Sequence, residues 1–175
     1  RFNELSMGAA DVDAALERDR RRGLLTFPYM LVGQREVTRL ERLPENDDEA
    51  MRAFRDWNPE TTDMKTKEAF SFGSPAGVKR QIEDSGLKRP DGEYAFIIRE
   101  TGWGGKSVSF IANPNPDLFE DRPDAAAVGR LGLEQIEQWL FERNGFSGIY
   151  IDSLGACWPG RLNYREDHFP FARHP

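Results

Sequence analysis

At 175 residues the chain is long enough for one well-buried domain and short for two. Its 30 acidic and 24 basic residues leave a formal charge of −6 with no sustained basic stripe, which speaks against nucleic acid and anionic membrane surfaces as partners. A single cysteine, Cys157, rules out an internal disulfide framework, and two histidines are too few for a multi-histidine metal site, so cofactor chemistry built on thiolates is not expected.

The opening "RFNELSMG" (1–8) reads neither as a secretory signal nor as an ordinary initiator. Residues 10–22, "ADVDAALERDRRR", then set Val12, Ala15, Leu16 and Asp19 along one side, with acids early and arginines late, which predicts a helix stopped by Gly23. "LLTFPYMLVG" (24–33) has strand length, and Pro28 argues for a bulge or an edge. Gln34, Arg35 and Glu36 follow it. Arginine and glutamate so close together can simply neutralise each other, and Glu36 is kept as a secondary carboxylate with Glu100.

Residues 44–92 form a long polar excursion, with a helix after Pro44, a loop-like "NPETTDMKTKEAFSFGSP" and a short helix closed by Gly86; such a stretch reads as a functional insertion or lid. "EYAFIIRE" (93–100) and "SVSFIANP" (107–114) are strand-like, and the glycine-rich "TGWGGK" between them leaves two options, a hairpin or successive barrel elements. "LGLEQIEQWLFERNG" (131–145) is a helix, and "FSGIYIDSL" (146–154) a strand after it. The unit helix, glycine, strand thus occurs twice and predicts parallel strands in an α/β fold. "FPFARHP" (169–175) closes on no element, so the chain reads as a single α/β domain over 1–175 that is a fragment of a larger barrel. No apolar run reaches the roughly 18 residues of a membrane span.

The chemistry-bearing positions cluster at strand ends. A run of apolar residues that finishes on Asp152 makes that carboxylate the first site candidate, because ligands in parallel α/β folds lie beyond the carboxyl ends of the strands. The bland alternative is a cap on the turn that follows. "FIANPNPD" ends similarly polar, and Asn113, Asn115 and Asp117 can offer amide and carboxylate groups to hydroxyls or make a plain Asx-turn series. Trp103 in the glycine-rich loop suits stacking on the apolar face of a sugar ring. Although "GGKS" looks like the end of a phosphate loop, it fails on glycine spacing and is followed by a strand instead of a helix. "WPGRLNYREDHFPF" (158–171) mixes Trp158 and Tyr164 with Arg161, Arg165, Glu166, Asp167 and His168, a blend of aromatic faces and hydrogen-bonding groups that carbohydrate sites use and that locally paired loops also show. An Asp167–His168 nucleophilic triad lacks its serine, and Cys157 beside Trp158 reads as a small buried residue.

On "FIANPNP", the helix "LEQIEQWLFERNG" and "FSGIYIDSLG", the segment 107–171 resembles the middle of a glycoside hydrolase (β/α)8 barrel of the retaining α-galactosidase-like kind. The resemblance implies a partial (β/α)8 TIM-barrel-like domain of parallel strands, oligosaccharide or polysaccharide as partner, and Asp152 as nucleophile. In that family the general acid/base comes from a later strand, which would lie beyond Pro175; within these residues the possible second carboxyls are Glu100, Glu166 and Asp167, and no metal or organic cofactor is implied. Where many such enzymes carry Asp-Gly before the strand, this chain has Ser147-Gly148. The alternatives are a glycan-binding protein without catalysis, and a structural or interaction domain whose open side is covered by the missing remainder of its own barrel or by a second copy. The compartment stays open between secreted, periplasmic and cytoplasmic.

Overall fold

A computed structural model describes residues 9–31, 33–37, 40–58, 75–101, 105–142, 146–152 and 163–168. Helix α1 (Ala9–Arg21) buries Val12, Ala15, Leu16 and Asp19 on one side and ends at Gly23, whose φ of 67° is a left-handed conformation that glycine adopts without steric cost. The chain then enters strand β1 (Tyr29–Leu31). Pro28 lies just before the strand, where it removes no ladder donor, and its carbonyl accepts the Tyr150 N–H at 2.9 Å. Strand β5 (Tyr150–Asp152) pairs with β1 in parallel, with Leu31 opposite Asp152.

Three further strands form a separate sheet. Strand β2 (Gln34–Val37), strand β3 (Phe96–Thr101) and strand β4 (Gly105–Ile111) pair antiparallel in the order β2-β4-β3. Strand alternation sorts their residues into two unlike faces. Val37, Phe96, Val108 and Phe110 form the apolar face, and helices α2 (Asp47–Arg55) and α3 (Pro75–Ser85) cover it with Ala50, Met51, Phe54, Val78 and Ile82. The described parts of the 44–92 stretch therefore contribute to the main core. Helix α2 starts where Asn46 accepts the Glu49 N–H at 3.0 Å, with Asp47, Asp48 and Glu49 in its first turn and Arg52 and Arg55 in its last, in the sense the helix dipole favours.

A second core joins Val12 and Leu16 of α1 and Met30 of β1 to Trp139 and Phe146. Trp139 belongs to a π-helical turn, Gln138–Glu142, that continues helix α4 (Val128–Glu137). A 3-10 turn, Glu166–His168, is the last described element.

The expected partial (β/α)8 barrel of parallel strands is overturned. Three residues connect β3 to β4, whereas a parallel crossover needs a dozen or more, so these strands fold back as an antiparallel hairpin, with Gly105 at φ 62° where β4 begins. Strand β2 joins the same sheet antiparallel. Among the described residues the parallel relation holds only over the three-residue β1–β5 ladder, and the architecture is a small mixed α/β one.

Candidate functional site

Three chain segments meet where the two sheets adjoin. Asp152 ends β5 opposite Leu31, and two residues beyond Leu31, a reach of about 7 Å, the Gly33 carbonyl accepts the Ala112 N–H at 2.9 Å. The carboxyl end of β5, the start of β2 and the end of β4 thus share a corner. It holds Asp152, Gln34 and Asn113.

Asn113 is tied in place from both sides. Its N–H donates to the Ser85 carbonyl at 2.7 Å, and its Oδ1 accepts the Asn115 N–H at 3.0 Å. Asn115 Oδ1 in turn accepts the Asp117 N–H at 2.9 Å, so "NPNPD" is an Asx-turn series. The loop is braced by α4, whose N-cap, Ala127, offers no side-chain acceptor; Ser85 supplies one, its Oγ taking the Val128 N–H and donating to the Ala126 carbonyl, each at 3.0 Å. A Cβ on Gly129 would lie 2.2 Å from the Pro114 carbonyl oxygen and 2.6 Å from the Asn115 carbonyl carbon. Both are backbone atoms that cannot rotate away. Gly129→Ala is therefore expected to destabilise the fold by about 1–3 kcal/mol, read as a lowered midpoint in urea unfolding.

From this corner the second face of the three-stranded sheet runs toward the β3–β4 hairpin. Beside Ile97 and Ile111 it carries polar residues: Gln34 and Glu36 on β2, Ser107 and Ser109 on β4, Arg99 on β3. Arg99 Nη2 donates to Glu36 Oε1 and, at 3.0 Å, to Gln34 Oε1, which also accepts the Ser109 hydroxyl at 3.2 Å. The two serines on the middle strand are small enough for the guanidinium to cross from β3 to β2. The Glu36 side chain is 5% exposed, yet among the described residues its Oε2 finds no hydrogen-bond partner, and neither does Nδ2 of Asn113. Arg35, on the opposite face, donates to Gln81 Oε1 and to the Gln34 carbonyl; burial pushes its pKa down to about 9.

Residues 163–168 engage the far end of α3. Arg165 Nη1 donates to the Glu83 carbonyl at 2.6 Å, and His168 Nε2 donates to that of Asp84 at 2.8 Å, satisfying carbonyls that the helix end leaves open. Asn163 Nδ2 donates to His168 Nδ1 at 2.8 Å, while its Oδ1 accepts the Lys88 and Arg165 N–H groups, each at 3.2 Å. Asp167 is held by a two-pronged Arg165 pair at 2.9 and 2.7 Å, which lowers its pKa. Arg165, Asp167 and His168 are thus joined to one another and to α3. Glu166 and Tyr164 are exposed.

Glu100 is exposed at the hairpin, opposite Lys106 and five positions along β4 from Ile111, about 17 Å from the corner at strand rise. Trp103, Trp158, Arg161 and Cys157 lie outside the described residues. Among the described residues no group of three or more His, Cys, Asp or Glu side chains is placed to hold a metal, and no helix is long and apolar enough to cross a membrane. The structure thus brings Asn113 to the corner that Asp152 enters, and keeps Glu100 apart from it. The partnership of Glu36 with Arg99 across the two serines is what sequence reasoning missed. Its signal was the alternation of Ser107 and Ser109 in an otherwise apolar strand. Comparison with protein-family models, with curated proteins and with solved structures finds no match.

Proposed function

We propose that this chain is a carbohydrate-active protein, a glycoside hydrolase whose reacting carboxylate is Asp152. The observation that carries the reading is the parallel pairing of β5 with β1, since Asp152 then stands at the carboxyl end of the pair, where parallel strands present ligands. The amide and hydroxyl groups beside it suit a ligand fringed with hydroxyls. The resemblance of "FIANPNP" and "FSGIYIDSLG" to retaining glycosidases points the same way.

In the retaining scheme a carboxylate oxygen of Asp152 attacks the anomeric carbon. The glycosidic C–O bond breaks with its electron pair on the leaving oxygen, which takes a proton from a second carboxyl group. Water then attacks the anomeric carbon of the glycosyl-enzyme, giving one of its own protons to the second group, and the bond to Asp152 breaks to release the carboxylate.

A second reading, glycan binding without cleavage, draws on the placement of the other candidates: Glu100 is at the far end of the sheet and Asp167 is bound to Arg165. An aryl-glycoside panel with Asp152→Asn as control separates the two. Nitrophenol release by the native chain that is lost in the variant supports hydrolysis. Saccharide binding without turnover, unchanged in Asp152→Asn, supports binding alone, and neither binding nor turnover overturns both.

A further inference from the structure

The last described segment, residues 163–168, is held to the C-terminal turn of α3 by polar bonds. Among the described residues none of its members belongs to an apolar cluster. The Tyr164 N–H donates to the Lys88 carbonyl at 3.0 Å, Arg165 Nη1 reaches the Gly86 carbonyl at 3.3 Å beside that of Glu83, and the fully buried His168 ring donates from Nε2 to the Asp84 carbonyl. The ring also packs edge-on against Phe119, with 5.3 Å between centroids. Water can satisfy each of those carbonyls if the segment leaves, so its release does not require the core between the sheet and its helices to open.

The bonds around the ring fit its neutral form. Nδ1 accepts from Asn163 Nδ2, and the Asn163 amide cannot turn without giving up the Lys88 and Arg165 N–H groups on its Oδ1, so a proton on Nδ1 would face a donor. Charged neighbours come from three places: Arg165 and Asp167 on the segment itself, Glu83, Asp84 and Lys88 at the end of α3 and just beyond it, and Arg122 before α4. The two nearest carboxylates are already engaged. Asp167 is bound by Arg165, and Asp84 accepts the Ala126 N–H at 2.7 Å with Arg80 and Arg122 at 3.7 and 3.6 Å. Burial, the largest influence, pushes the imidazole pKa down to about 4, whereas a released histidine takes its proton near 6.5. We propose that residues 163–168 are an acid-sensitive latch: protonation of His168 frees the segment from the end of α3 while the three-stranded sheet stays folded. The turn it leaves is the one whose Ser85 carbonyl accepts the Asn113 N–H at 2.7 Å, so the latch abuts the corner that Asp152 enters.

Amide hydrogen exchange followed residue by residue by NMR from pH 7 to pH 4 tests the latch. In the native chain the protection of the Tyr164 and Arg165 amides should fall at least tenfold over that range while the amides of β4 keep theirs. His168→Gln cannot take up the proton and should show no such fall. Asn163→Asp should resist acid as well, because one carboxylate oxygen keeps the Lys88 and Arg165 bonds while the other accepts from protonated Nδ1; a purely structural Asn163 would instead lose protection at every pH. If one variant does not fold, the other decides. Segment and β4 amides that lose protection together in the native chain overturn the latch, since the segment then opens only with the whole fold, and protection at Tyr164 that does not change with pH overturns it too. A tenfold acid loss that persists in His168→Gln or Asn163→Asp gives the proton to another group and removes His168 as the trigger.

Discussion

Phe110→Ala is expected to lower the unfolding free energy by about 3–5 kcal/mol, the range for deleting a buried aromatic side chain. Phe110 is fully buried near the end of the central strand, opposite Arg35 on one side and Phe96 on the other. Its ring centroid lies 4.7 Å from that of Phe54 on α2, 5.8 Å from Phe96 and 6.0 Å from Tyr94. The substitution removes a ring that the sheet and α2 share, and relaxation is limited because those neighbours are fixed by strand pairing and helix packing. Domains of this size hold about 5–15 kcal/mol in all, so the variant forfeits about a fifth of the total or more. Urea unfolding followed by circular dichroism should show a lower midpoint at unchanged slope. Phe141→Ala serves as the control, since Phe141 is 73% exposed and its loss should stay within about 0.5 kcal/mol. A Phe110→Ala loss below about 1 kcal/mol would mean that the sheet and α2 do not share a core.

Local elements were legible because their causes are local. The spacing of Val12, Ala15, Leu16 and Asp19 encodes α1, and the apolar runs around Phe96 and Phe110 encode β3 and β4. Pairing is a different kind of information. Two helix-strand units suggested a parallel barrel, but which edges meet depends on contacts between residues far apart in the chain. The short β3–β4 connection decided for a hairpin. Strand β2 escaped notice because "QREV" has almost no apolar content: its Arg35 projects to the core side and binds Gln81, while its Glu36 projects to the other face and binds Arg99. Adjacent residues of a strand point to opposite faces, so Arg35 and Glu36 could not neutralise each other in the way their proximity in sequence suggested. Strand ends that finish polar were equally visible as candidates, yet their chemistry was not. Asn113 and Asn115 make the turn series that their spacing allowed, and the carboxylate of Asp167, attractive beside a histidine, is occupied by Arg165.

The same histidine sets the acid limit of the fold. His168 is fully buried, and burial, more than any other influence, pushes its pKa from 6.5 down to about 4; the Asp84 carbonyl on Nε2 acts the other way, as does the Asp167 carboxylate, while the Arg165 and Arg122 guanidinium groups add to the depression. Protonation would place a hydrogen on Nδ1 against the Asn163 amide N–H. Turning that amide would give up the Lys88 and Arg165 backbone bonds its oxygen now accepts. Because the unfolded chain binds this proton more readily, the stabilisation is fully present above about pH 6.5, declines as pH falls, and is gone by about pH 4; a gap of this size corresponds to about 3 kcal/mol. Asp167, whose pKa is lowered by Arg165, also loses stabilisation in acid, but only below its ordinary value of 3.8, so the two windows are separate. Urea midpoints measured from pH 7.5 to 4 should fall for the native chain and fall much less for His168→Gln, which cannot titrate in that range. Parallel curves for the two proteins would mean that the proton goes elsewhere and that His168 titrates alike in the folded and unfolded chain.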